Sequence, residues 1–514
     1  MRLRVALAVV ASLVSFSGAA AQDVTVTVDA TAAGPVIDRN IFGQFAEHLG
    51  TGIYNGVWVG EDSPIPNTRG IRSDVVAALK AIKVPNVRWP GGCFADEYHW
   101  RDGIGDPAGR TRRRNASWAG RIETNAFGTH EYFDFLGQIG ARPFISVNVG
   151  SGTVQEAADW MEYMTAEGTT LSDERAANGR TEPWGVDFLG IGNETWGCGG
   201  PLTGEEYVRE LKQFVNFTTN YHPTVKPTII AVGPDGGGFA EYTEAVMRGW
   251  SQRDWTWDIQ GLSLHRYTRG EWPPRIKATG FGDAEYAQVI DETLGMDDFI
   301  RTNAGVMDKY DPERNVGIYV DEWGTWYEGD AGTLFQQNSQ RDAVLAALNF
   351  NIFARHAERV RGANIAQMVN VLQAMILTDD ARMILTPTYH AFRMYVPFQD
   401  ATRLGIEFDA QGYTQGEHEM PRFDAIAARG SDGAIWVAVV NIDPTHEATV
   451  NVRLGGGRIA NVSAETLDAP ATDAINTFER PETVKPRAAS PTVSGGAARL
   501  AVRPASVTVF RIEG

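Results

Sequence analysis

The 514-residue chain contains only two cysteines, Cys93 and Cys198. Two thiols cannot staple a fold of this length, so a disulfide-rich scaffold is excluded. The pair forms either one bridge or two buried free thiols. CxxC, HxH and HExxH patterns are missing, which removes the common zinc arrangements and leaves no metal site to expect. GxxxxGK[ST] and GxSxG are missing too, and with them the phosphate loop and the serine-hydrolase elbow. Positive charge is in deficit: 46 Lys and Arg against 64 Asp and Glu leave a formal net charge of −18. A phosphate polyanion needs a basic face, so this balance argues against nucleic acid as a partner. Beyond residue 21 no stretch approaches the ~18 uninterrupted apolar residues of a membrane helix, and no membrane partner is expected.

What the chain does hold is an ordinary globular mix, 43% apolar and 21% charged, enough to bury a full core. Its length suggests two or three domains, or one large barrel with a smaller partner. Fourteen Trp and fifteen Tyr tilt the reading toward carbohydrate, whose C–H faces pack on aromatic rings, although core packing alone accounts for such numbers. At the start, Arg2 and Arg4 precede an apolar run from Val5 to Phe16 and the small residues Gly18, Ala19, Ala20 and Ala21. This pattern predicts a signal peptide over 1–21 and a secreted or periplasmic protein.

Short β-like runs at 41–46, 86–89, 143–149, 187–192, 228–232, 261–265, 317–320 and 365–372 alternate with helical spacings. Several are almost wholly apolar, as strands buried on both faces should be. Thr203 and Glu206 form a capping-box pattern, and Tyr207, Val208, Leu211, Phe214 and Val215 mark one helical face. Val344, Leu345, Leu348, Ile352 and Phe353 mark another. Eight such alternations predict an α/β fold, a (β/α)8 TIM barrel over 36–396. The alternative, a doubly wound sheet, would carry a Gly-rich phosphate turn that is not seen. From 397 to 514 the runs at 423–428, 434–441, 448–454 and 506–512 predict a C-terminal antiparallel β-sandwich. The Val/Thr alternation from Val24 to Val28 predicts that 22–35 adds a strand to it.

In a parallel barrel, reactive residues gather where the strands end. Glu194 closes the fourth run and Glu322 the seventh. Strands three apart in an eight-strand ring face each other across its mouth, so both carboxylates reach one cleft. Glycoside hydrolysis needs that pair: one group protonates the leaving oxygen while the other attacks the sugar or activates a water. Proximity of the charges raises the pKa of one of them. Which glutamate takes which role is not decided by these considerations.

Phe42-Gly43-Gln44-Phe45-Ala46-Glu47-His48-Leu49-Gly50, Arg88-Trp89-Pro90-Gly91-Gly92, Tyr98-His99-Trp100-Arg101-Asp102-Gly103-Ile104-Gly105, Gly192-Asn193-Glu194 and Asp321-Glu322-Trp323 resemble the α-L-arabinofuranosidases of glycoside hydrolase family 51. The resemblance runs from about Val24 to the C-terminus. It implies a cofactor-free retaining enzyme, exo-acting on arabinose-containing plant polysaccharides and oligosaccharides. Glu194 would be the acid/base, Glu322 the nucleophile, and the assembly a homo-oligomer, often a hexamer. It further implies that Glu47 and Asn193 bond sugar hydroxyls, that Gln367 closes the sugar pocket from the eighth strand, that Tyr267 and Arg88 hold Glu322, and that Trp118 and Trp326 wall the pocket. His265 is expected to buttress the site. One departure stands out: many members carry Asn after the double glycine where this chain has Cys93, so that sugar contact is placed in doubt. Cys198 lies four residues past Glu194 on the same barrel face, and a Cys93–Cys198 bridge would pin the second and fourth loops beside the sugar. Alternative functions are an endo-β-1,4-glucanase or xylanase, another furanosidase, and a carbohydrate-binding protein without catalysis.

Overall fold

The computed structural model describes residues 22–236 and 240–514; the expected signal peptide at 1–21 lies outside them. Eight parallel strands close a barrel. In chain order, first to eighth, they are Gly43–Phe45, Asn86–Trp89, Arg142–Val147, Phe188–Ile191, Thr228–Ala231, Gly261–Thr268, Gly317–Thr325 and Val360–Ile365. Phe144, Phe188, Ile230 and Tyr319, from four of these strands, pack together inside the barrel. This apolar plug is the floor on which a polar site can stand without water entering from beneath.

The helices lock the strand ends in place. In Gly204–Phe217, Thr203 caps the first turn in partnership with Glu206, and Tyr207, Val208, Leu211 and Phe214 are buried. The hydroxyl of Tyr207 donates to Ile191 O at 2.7 Å and accepts from Val232 N at 2.8 Å. One helical residue therefore ties the fourth and fifth strands together just before Gly192-Asn193-Glu194. The helix Gln340–Arg355 is buried along almost its whole length, because it lies between the barrel and the C-terminal sheet.

That sheet has ten strands, and it includes the N-terminal strand Gln22–Val36. Alternating side chains along Phe423–Arg429 serve two cores, as the pleat requires. Ala425 and Ala427 join Val24, Val26, Val28, Val450 and Phe510 in one cluster, while Ile426 and Ala428 face the barrel's cluster. Within 397–514 the strands of this sheet pair antiparallel with one another, and Gln22–Val36 joins them antiparallel to Thr402–Glu407 and parallel to Ala448–Gly455. One expectation is corrected: the eighth barrel strand is Val360–Ile365 and not 365–372. The later run is apolar because it is a buried exit loop. Asn370 and Leu372 have φ of +59° and +49° there, a backbone that no strand contains.

The sixth and seventh strands also extend further than their apolar runs. Between them the register shifts: Ser263 pairs with Tyr319, but His265 pairs with Glu322. The seventh strand thus carries one extra residue, a bulge of the kind that re-aims side chains.

Candidate active site

Each polar residue singled out at a strand end arrives in one cluster at the C-terminal mouth. Glu322 is gripped on both oxygens: Arg88 Nη1 donates to Oε1 at 2.7 Å and the Tyr267 hydroxyl donates to Oε2 at 2.6 Å. Arg88 also donates through Nη2 to Asn193 Oδ1 at 2.6 Å, and its Nε lies 3.3 Å from Asp321 Oδ2. In a regular strand Asp321 and Glu322 would point to opposite faces. The bulge lets both reach the same guanidinium.

Glu194 stands opposite. Its Oε1 lies 2.8 Å from His265 Nδ1, which is 3.6 Å from Glu322 Oε2. One oxygen of Glu194 and one of Glu322 come within 4.8 Å of each other around that imidazole. The Glu194 side chain is 20% exposed and that of Glu322 8%, so Glu194 is the more open of the two. Burial raises the Glu194 carboxyl and the charge of Glu322 adds to this, while His265 opposes it. For His265 itself burial lowers the pKa, but Glu322, Asp321 and Glu194 outweigh it and push the ring up to about 10. His265 is therefore a cation at neutral pH, bridging three carboxylates.

Glu47 is buried with Oε1 accepting from Gly92 N at 2.9 Å and Phe94 N at 3.1 Å, and Oε2 from Gln367 Nε2 at 2.9 Å. Burial, with the charge of Glu322, pushes its carboxyl up to about 7. The paired glycines make these approaches possible. A Cβ on Gly91 would meet Glu47 Cγ at 2.7 Å, and one on Gly92 would meet Glu322 Oε1 at 2.8 Å. Trp118, Trp326 and Tyr267 pack on one apolar cluster with Phe45, Leu49 and Leu334. Cys93 and Cys198 are joined by a disulfide that links the second-strand loop to the fourth. Cys93 therefore has no S–H to offer a sugar. Glu194, Trp196, His265, Tyr267, Trp272 and Trp326 border a cavity of about 330 Å³.

Three contributors were not singled out from sequence. Asp321 was visible only as the neighbour of Glu322. Trp272 is 61% exposed and meets Trp326 edge to face at 5.3 Å; an isolated Trp in a loop gives no signal. Asp96 is buried three residues past Cys93, and burial pushes its carboxyl up to about 7 against the pull of three backbone N–H groups. Only an acidic residue embedded in Phe94-Ala95 hinted at it.

Comparison with known proteins bears on this geometry. Residues 78–244 match the alpha-L-arabinofuranosidase 1 domain family and residues 321–506 the alpha-L-arabinofuranosidase C-terminal domain family. The chain is 41% identical to the intracellular exo-alpha-L-arabinofuranosidase of Bacteroides ovatus, covering 94% of each. The crystal structure of the GH51 arabinofuranosidase from Xanthomonas axonopodis pv. citri superposes with a TM-score of 0.92 at 48% identity, over 96% of this chain and all (100%) of that one. The arabinose complex of the Thermotoga maritima α-L-arabinofuranosidase gives 0.85 at 32% identity, covering 96% of this chain and 100% of that one. A parallel barrel with paired glutamates at its mouth is, with these relatives, that of a glycoside hydrolase. More narrowly, the chain belongs to the α-L-arabinofuranosidases of glycoside hydrolase family 51.

The expectation of export is overturned by the Bacteroides ovatus relative, which is named an intracellular enzyme. The basis for that expectation, two arginines and an apolar run within residues 1–21, is compositional alone.

Proposed function

We propose that the protein is an exo-acting, retaining α-L-arabinofuranosidase that releases terminal arabinofuranose from arabinose-containing plant polysaccharides and oligosaccharides. Glu322 attacks the anomeric carbon while Glu194 gives its proton to the leaving oxygen. Glu194 then takes a proton from the water that displaces the enzyme-bound ester. The observation that carries this reading is the approach of the two carboxylates to within 4.8 Å. Retaining enzymes hold their pair at about 5–5.5 Å, whereas inverting ones need about 6.5–9.5 Å to admit a water.

The electrostatics fit both halves of the cycle. Glu322's charge helps keep Glu194 protonated before attack. Once the ester forms that charge is gone, the Glu194 pKa falls, and the group becomes a base. Carboxylates crowd the site, which favours the positive charge that develops on the sugar. Glu47 and Asn193 would bond ring hydroxyls. Gln367 would do the same through Oε1, a buried atom with no hydrogen-bond partner among the described residues. Trp118 and Trp326 would close the sides, with the Cys93–Cys198 bridge holding the rim. Arg88 and Tyr267 act on Glu322. A homo-oligomer, hexameric by family resemblance, is part of this reading.

Proton NMR of the first sugar released should show the α anomer before mutarotation. With Glu194→Ala, azide should yield the retained α-glycosyl azide from an activated aryl substrate. A first-formed β anomer would overturn the mechanism, and fragmentation of unsubstituted xylan would overturn exo action. Tyr267→Phe removes a bond to an ionised acceptor, worth about 1.5–3 kcal/mol, so kcat/KM should fall about 10–100-fold. The unfolding midpoint should fall as well, because the buried Glu322 carboxylate loses one of its donors.

A further inference from the structure

Asp96 is 6% exposed, and neither half of the proposed cycle uses it. Its Oδ1 accepts from Val149 N at 2.8 Å and Gly150 N at 2.9 Å, and its Oδ2 accepts from Asn193 N at 3.0 Å. Its carbonyl accepts from Ser151 N and Ser151 Oγ, both at 2.9 Å. One residue of the short helix Cys93–Glu97 is thus bonded to the exits of both the third and fourth strands. Close packing confirms the fit: a Cβ on Gly199 would meet Asp96 Oδ2 at 2.6 Å, and one on Gly150 would meet Asp96 Cβ at 2.8 Å.

The consequence falls on Glu194. Asn193 is held twice, through its N–H by Asp96 and through its side chain by Arg88. The next residue, Glu194, has φ of +39°, a left-handed backbone that a non-glycine residue keeps only when its surroundings impose it. We infer that Asp96 is a positioning residue for catalysis: by gripping the Asn193 N–H it sets the backbone from which Glu194 reaches the leaving oxygen. This rests on Glu194 being the proton donor.

Asp96→Asn is the sharp test, because it preserves volume. The amide oxygen can keep Val149 and Gly150, but the amide NH2 then faces the Asn193 N–H, donor against donor. The Glu194 side chain loses its aim while Glu322 keeps its own partners. Leaving groups that need protonation should then suffer and good ones should not. Since general-acid catalysis contributes about 10²–10⁴-fold, kcat/KM on an arabinosylated xylooligosaccharide should fall about 100-fold, and on a dinitrophenyl arabinofuranoside about 3-fold or less. Equal losses on both substrates would mean a merely structural role and overturn the inference. Glu194→Gln, run alongside, separates the two layers. If it also loses both substrates equally, the acid/base assignment fails; if it is selective and Asp96→Asn is not, only the positioning role fails. Should Asp96→Asn not fold, Asp96→Ser, which withdraws the Oδ2 acceptor from the Asn193 N–H without adding volume, is read by the same pair of substrates.

Discussion

Glu322→Ala is expected to reduce kcat on an aryl α-L-arabinofuranoside by on the order of 10⁴-fold or more, the scale seen when a catalytic nucleophile is removed. The variant should still bind arabinose, because Glu47, Gln367 and Asn193 keep their own partners. Removing the side chain opens space on the face from which the carboxylate attacks. Azide entering there should restore part of the turnover and give the inverted β-glycosyl azide. The contrast with the retained azide from Glu194→Ala is what assigns the two roles. If azide gave the same anomer from both variants, the roles would not be those proposed. Arg88 keeps Asp321 and Asn193 in this variant, so the fold should survive.

Arg88→Leu is expected to damage both fold and function. The guanidinium is 1% exposed and touches Glu322, Asp321 and Asn193 at once, with Phe45's ring 4.8 Å from its centre. Its loss leaves two neighbouring carboxylates buried without their arginine. Breaking a buried pair from one side costs about 3–5 kcal/mol, which denaturant titration of wild type and variant would measure. Lys is not an adequate substitute, since a single ammonium cannot reproduce the planar fork that reaches Glu322 and Asn193 together. The effect has a sign in pH. Burial pushes Asp321 up, but Arg88 and His265 outweigh it and hold the carboxyl below its usual range of 3.8. A depressed carboxylate adds stability above its unfolded pKa, and this contribution is lost as pH falls through the folded value. Without Arg88 the folded value rises, so the stability deficit of Arg88→Leu should be largest near neutrality and shrink in acid. A deficit independent of pH would count against the ion-pair account.

Parts of this arrangement were legible in the chain itself. Glu194 and Glu322 stood out because a short apolar strand followed at once by a carboxylate has few structural uses, and the barrel rule says where such residues meet. Tyr267, Arg88 and Gln367 were identified through motif resemblance, since nothing in their local spacing marks them. The eighth strand was misplaced for a physical reason. A buried loop and a buried strand are equally apolar, and hydropathy cannot see the positive φ at Asn370 and Leu372. Export was read from the residue pattern of 1–21 alone, and the Bacteroides ovatus relative, named intracellular, overturns it.

Alternating periods, strand-end carboxylates and the Val/Thr segment at Val24–Val28 together determined a barrel, a partner sheet and the pair of glutamates at the barrel's mouth, because each depends on which residues neighbour one another along the chain. The bulge that turns Asp321 and Glu322 toward one arginine, the N–H cradle around Asp96 and the cationic His265 between the glutamates were decided by tertiary structure alone. Each depends on registers and distances between segments far apart in the chain, set only when the strands pair and the loops pack over them.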